Sequence, residues 1–163
     1  MLTRLDYGSS TLAGLPARQL NRLQYVVKSA ARLVYSARGS EHVSPLLQEL
    51  HCLRVSQRID FRLAVLVYRC MNGTAPRYLG SELQRVADIE SRRRLRSASS
   101  PSLHVPRSLH KTIGDRAFPD AAALVWNMLP PAITPLSSLE AFKGALKTEL
   151  FRRSYGNAHY RQH

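Results

Sequence analysis

Arg18, Arg22, Tyr25, Ser29 and Arg32 follow one another at intervals of four and three residues. On a helix that spacing gathers them on one face. Guanidinium groups in such a row match phosphate oxygens, and a tyrosine ring among them offers a surface on which a base can stack. The same set also describes a solvated helix face with one ordinary tyrosine. Arg92, Arg93, Arg94 and Arg96 form the densest charge run in the chain. That run suits phosphate contacts or nuclear import, and it equally describes a plain exposed loop. What these residues offer is charge neutralisation and stacking, with no bond made or broken.

Other chemistry finds little footing. No pair of carboxylates stands in a pattern for metal-assisted phosphoryl transfer. There is no P-loop, no G-x-S-x-G elbow and no H-E-x-x-H. Cys52 and Cys70 are too few for a disulfide framework or a cysteine-rich zinc site. His51-Cys52 makes half of a metal site, but no second pair stands at ligand spacing. The expectation is therefore a chain with no catalytic residue, no cofactor, no bound metal and no small-molecule substrate.

Charge points the same way. The 163 residues carry 24 Lys and Arg against 11 Asp and Glu, a formal net charge of +13. Of those basic residues only Lys28, Lys111, Lys143 and Lys147 are lysines. Arginine forks onto phosphate better than lysine does, so the excess favours RNA or DNA backbone as partner. The competing reading is charge that only keeps the protein in solution. No apolar run resembles a signal peptide or approaches the roughly 18 residues of a membrane span, so no membrane partner is expected. The cysteine usage suits a reduced, intracellular setting, nuclear or cytoplasmic. Nothing in the sequence specifies the oligomeric state.

The elements that position these residues are helical. Apolar residues make up 44 % of the chain, enough for one core. Residues 1–16 read as an entry segment punctuated by Gly8, Gly14 and Pro16. Residues 17–153 read as a single domain, and 154–163 as a frayed tail. From Ala17, Leu20, Leu23, Val27, Ala30 and Val34 make an apolar stripe, with an end expected near Arg38-Gly39. Ser44-Pro45 signals a short helix to about His51. Residues 55–71 are apolar over most of the helix circumference and belong at the centre, and Asn72-Gly73 ends them. Arg58, Arg62 and Arg69 on that helix either extend the basic surface or brace the bundle; the buried setting favours bracing. A short helix over 76–86 closes the first half, 17–87.

Residues 88–102 are Arg- and Ser-rich and read as a loop. In 103–153, Leu103–Val105 and residues 111–118 read as two short strands forming a small antiparallel pair. Two helices follow. The first carries Phe118, Ala122, Val125 and Leu129, with Trp126 in the core, and stops at Pro130-Pro131. Asp115-Arg116 reads as an ion pair before it, in preference to a phosphate contact by Arg116. Ser137 with Glu140 reads as a capping box for the last helix, which carries Leu139, Phe142, Leu146 and Leu150 on one face. The fold class is mainly α: a compact helical bundle with a small two-stranded β element before the last two helices.

An ordered series of short landmarks runs along almost the whole chain, from Leu2 to Phe151. It includes Leu5-Asp6-Tyr7-Gly8, Gly14-Leu15-Pro16, Ala30-Ala31-Arg32-Leu33-Val34 and His42-Val43-Ser44-Pro45-Leu46. It continues through Leu50-His51, Asn72-Gly73-Thr74-Ala75-Pro76, Leu95-Arg96-Ser97 and Gly114-Asp115-Arg116-Ala117-Phe118. Trp126-Asn127, Leu129-Pro130 and Phe142-Lys143 with Leu146-Lys147 and Leu150-Phe151 complete it. The set resembles the extreme C-terminal region of reverse transcriptases of non-LTR, LINE-type (jockey-like) retrotransposons. Two places depart from that pattern. Relatives read LHWLPV where this chain has Leu50-His51-Cys52-Leu53-Arg54-Val55, and Phe118-Pro119-Asp120 puts an acid in a stretch that is usually apolar.

The resemblance implies a thumb and post-thumb segment that holds template RNA and primer–template duplex. The family's catalytic aspartates and its endonuclease lie outside the matched region, so RNA-directed DNA polymerase activity is implied only for a longer chain. The expected function is therefore non-catalytic nucleic-acid binding through Arg18, Arg22, Tyr25, Arg32, Arg92, Arg93, Arg94 and Arg96. Two alternatives stand beside it. One is a fragment of an active reverse transcriptase whose palm lies upstream. The other is a structural remnant or protein-interaction helical module.

Overall fold

A computed structural model describes residues 12–89, 102–105 and 117–156. Six α-helices form among them: α1 (Ala17–Tyr35), α2 (Val43–Glu49), α3 (Val55–Met71), α4 (Arg77–Gly80), α5 (Phe118–Asn127) and α6 (Leu139–Tyr155). A 3-10 turn spans Val86–Asp88.

α3 is the hub. Val55, Ile59, Leu63, Ala64, Val67 and Tyr68 are all buried along it, so it meets neighbours on most of its circumference. It packs most extensively against α6 and α5, and it also touches α1 and α4. α6 answers with Phe142, Leu146 and Leu150, spaced one helical turn apart and almost fully buried. Phe142 lies at the junction of the three helices. Its ring stacks on Tyr68 of α3 at 4.5 Å and on Trp126 of α5 at 5.9 Å. A buried aromatic cluster of this kind combines large apolar burial with preferred ring geometry. Trp126 therefore belongs to the core, as its helical spacing implies.

Polar stitches fix the ends. The Tyr68 hydroxyl donates to the Leu136 carbonyl at 3.0 Å, and the Tyr155 hydroxyl to the Cys52 carbonyl at 2.7 Å. The second stitch, with Arg54 lying 5.4 Å over the Tyr155 ring, buries Ser154 and Tyr155. The last helix thus stays packed to residue 155, although the sequence pattern predicts a frayed tail from 154. Residues 157–163 lie outside the described part.

The expected β pair finds no support: among the described residues there is no strand. Leu103 makes one isolated antiparallel bridge, and its partner is Arg85. Most of 111–118 lies outside the described residues. At Leu103 itself the pairing groups are taken by Asn127. Its side-chain oxygen accepts from the Leu103 N–H at 2.8 Å and its amide donates to the Leu103 carbonyl at 2.8 Å. One carboxamide satisfies both backbone groups that a second strand would otherwise pair with. Leu103 is then free to plug the core, where it is 1 % exposed.

Helix ends differ from the sequence-based expectations by small shifts. α1 stops at Ser36, which adopts a left-handed cap (φ 49°), three residues before Gly39. α2 begins at Val43 after His42, with no side-chain cap, so Ser44 lies inside the helix. α6 begins after Ser138 with no side-chain cap, so Ser137 and Glu140 make no capping box. Glu140 pairs with Lys143 at 2.8 Å instead. α4 is a single turn in place of the helix predicted over 76–86. Asp120 is buried in the first turn of α5, at the end of the helix dipole that favours a carboxylate, and its Oδ1 has no hydrogen-bond partner among the described residues.

Candidate nucleic-acid interface

α1 is the least buried of the long helices. Its only buried residues are Val27 and Ala31. Leu20 and Leu23 pack as half-buried neighbours of the core. Gln24 fastens the helix to the start of α3 by accepting from the Val55 N–H at 2.8 Å. At the other end, burial and the nearby Glu49 carboxylate push the Tyr35 hydroxyl pKa up, which places that acid on the α2 side of α1. Most of the remaining circumference faces water.

On that outer face Arg18 and Arg22 are exposed and Tyr25 is 66 % exposed. Neither arginine makes an ion pair or a side-chain hydrogen bond among the described residues. α1 contains Arg18, Arg22, Lys28 and Arg32 and not one acidic residue. Their charges are thus uncompensated along their own helix. Ser29, between them, is half-buried.

Arg32 behaves differently. It is half-buried, its Nη2 lies 3.4 Å from the Glu41 carbonyl, and its Nε is buried with no hydrogen-bond partner. The loop after α1 therefore draws this guanidinium away from the outer row. Glu41 also accepts from the Arg38 N–H at 3.2 Å and holds that loop closed. Arg92, Arg93, Arg94 and Arg96 lie outside the described residues, as does Asp115-Arg116.

The central-helix arginines mostly brace. Arg58 donates through Nε to the Leu53 carbonyl at 3.0 Å and through Nη2 to the Cys52 sulfur at 3.2 Å. Arg69 donates to the Thr74 carbonyl at 3.2 Å and closes its own helix end. On α6, Arg152 and Arg153 both pair with Glu149, at 2.9 and 2.7 Å. Those hydrogen bonds hold the Glu149 carboxyl below the usual range. Arg153 also donates to the Met128 carbonyl at 2.9 Å, which ties α6 to the end of α5.

A second basic region is invisible to sequence spacing. His51, Arg58, Arg62 and Lys147 line a cavity of about 300 Å³ with Cys52, Leu53 and Phe61. Lys147 comes from α6 and the arginines from α3, so only the α3–α6 packing brings them together. No local spacing signals that. His51 sits there with φ 48°, stacked on Phe151 at 5.9 Å. Cys52 is buried beside it, and no group of three metal-ligating side chains gathers among the described residues. No described helix is long and apolar enough to cross a membrane.

No protein-family model, no curated protein and no solved structure matches the chain.

Proposed function

We propose that the chain is a non-catalytic binder of RNA or DNA backbone, derived from the C-terminal region of a non-LTR retrotransposon reverse transcriptase. One observation carries the reading. The outer face of α1 presents Arg18, Arg22 and Tyr25 to solvent on a helix without any acid, in a chain of net charge +13. Phosphates neutralise such a row with release of counterions, and the ring adds sequence-tolerant stacking. The ordered sequence landmarks support the retroelement origin. Arg92, Arg93, Arg94 and Arg96 join the proposal on their sequence alone, and Arg32 contributes charge from its turned-aside position.

Binding of this kind is weakly sequence-specific and strongly salt-dependent. Filter binding of single-stranded RNA and of duplex DNA at two salt concentrations tests it. The reading requires retention at low salt that falls steeply as salt rises. Replacing Arg92–Arg94 and Arg96 by Ser should weaken retention uniformly across sequences and flatten the salt slope. A second reading, a protein-interaction helical module, is favoured by one observation: Val26, Leu33 and Val34 stand exposed on the flank of the same helix.

A further inference from the structure

We infer that the apolar flank of α1 is a docking strip for an acidic amphipathic helix of a partner protein. This inference rests on and deepens the protein-interaction reading, and it does not depend on nucleic-acid binding. Gln19, Leu23, Val26, Ala30 and Leu33 are spaced by four and three residues in alternation. That is the period of a seam between two packed helices. The seam lies beside the Arg18–Arg22 row. Val26 is 52 % exposed, Leu33 81 % and the adjoining Val34 66 %. Leu12 and Leu15 extend the strip at its N-terminal end. There, with Gln19, Arg22, Leu23, Tyr25 and Val26, they line a groove of about 610 Å³.

Val26, Leu33 and Val34 in water forgo the apolar burial that stabilises α3, α5 and α6. Contiguous apolar surface rimmed by polar groups marks an interaction site. Ala30, exposed in the middle of the seam, lets a second helix approach closely.

Charge selects the occupant. The rim carries Arg18 and Arg22, and no carboxylate stands on α1. Glu49 acts on α1 at Tyr35, nine residues beyond Val26 and so on the opposite side of the helix. Glu41 is held by the Arg38 N–H in the loop beyond the helix end. A second copy of α1 laid on the strip would set cations against cations. A nucleic acid would satisfy the arginines and leave Val26 and Leu33 uncovered. A helix with leucine-type residues at three- and four-residue spacing and Glu or Asp along its border covers both.

The probe is a stapled, monomeric amphipathic peptide with a leucine face bordered by glutamates, titrated against the full chain by fluorescence anisotropy. The peptide should bind. Leu33→Gln combined with Val26→Gln should weaken it roughly tenfold or more, since central apolar anchors dominate such interfaces. Arg22→Glu should also weaken it, and a peptide with lysines in place of the glutamates should recover the loss. Both sites are exposed, and circular dichroism checks that the variants stay folded; Leu33→Ser alone serves if the double variant does not. Retention of RNA unchanged by Leu33→Gln would separate this strip from the nucleic-acid reading, whichever way that reading falls. The inference is overturned if the peptide fails to bind. It is equally overturned if a scrambled peptide of the same composition binds as well, or if sedimentation shows the strip buried in a self-dimer that Leu33→Gln dissolves.

Discussion

The α3–α5–α6 junction and α1 use the same apolar periodicity and meet opposite fates. In the junction, Phe142, Leu146, Ala64, Val67 and Ala122 are sealed from water. In α1 the stripe Leu20, Leu23, Val27, Ala30 and Val34 buries only Val27 fully, while Ala31, off the stripe, is 2 % exposed. α3 has neighbours around most of its surface, whereas α1 meets only α2 and α3 to any extent. Periodicity says which residues share a face. It does not say whether the fold supplies anything to cover that face. The uncovered part of α1 is where both its cations and its spare apolar groups lie, so it is the part available to a partner.

The contrast can be broken first at its strongest point. Phe142→Ala removes the ring that joins three helices and should cost about 3–5 kcal/mol in urea denaturation. Leu33→Ala on α1 should stay within about 0.5 kcal/mol, as exposed substitutions do. Comparable losses at the two sites would mean that α1 is as well packed as the junction. Next is the clasp on Leu103. Asn127→Ala strands a buried N–H and C=O and should cost about 1–3 kcal/mol, with faster hydrogen exchange at Leu103. Unchanged exchange there would show that the clasp does not hold the segment.

The third test concerns Asp60 of α3. Burial pushes its carboxyl pKa up, and Arg153 pulls it only partly back. The folded protein therefore holds this proton more tightly than the unfolded chain. Stability falls as pH rises from the unfolded pKa through the folded one. Asp60→Asn should remove that part of the decline and raise stability at neutral pH relative to the parent. A parallel stability–pH curve for the variant would contradict the assignment. The smallest effect is expected at Lys143→Gln, which breaks an exposed pair with Glu140 and should change stability by under about 0.5 kcal/mol.

Much of the helical framework is legible in the sequence. α3 spans 55–71, as its dense apolar pattern and the Asn72-Gly73 stop imply. α5 carries Trp126 into the core, and α6 lays Phe142, Leu146 and Leu150 on one face. The shared face of Arg18, Arg22 and Tyr25 is legible as well, because helical spacing sets it opposite the apolar stripe. What escapes depends on distant partners. Leu103 reads as a strand because Leu103 and Val105 alternate with the polar Ser102 and His104, but its backbone is satisfied by a side chain 24 residues away. Arg32 fits the basic row by spacing, yet a carbonyl in the following loop turns it aside. Tyr155 reads as part of a tail, but its hydroxyl finds the Cys52 carbonyl 103 residues earlier. His51 and Lys147 converge only once α3 and α6 are packed.

The role proposed for the outer face of α1 is to hold nucleic-acid phosphates. The most direct measurement is the salt dependence of duplex DNA affinity for the parent and for an Arg18→Ser, Arg22→Ser variant. Every phosphate that the protein neutralises adds about 0.9 to the steepness of the log–log plot of affinity against salt. The variant should therefore bind more weakly on every sequence, with a plot shallower by about two. An identical slope and affinity for parent and variant would contradict the claim.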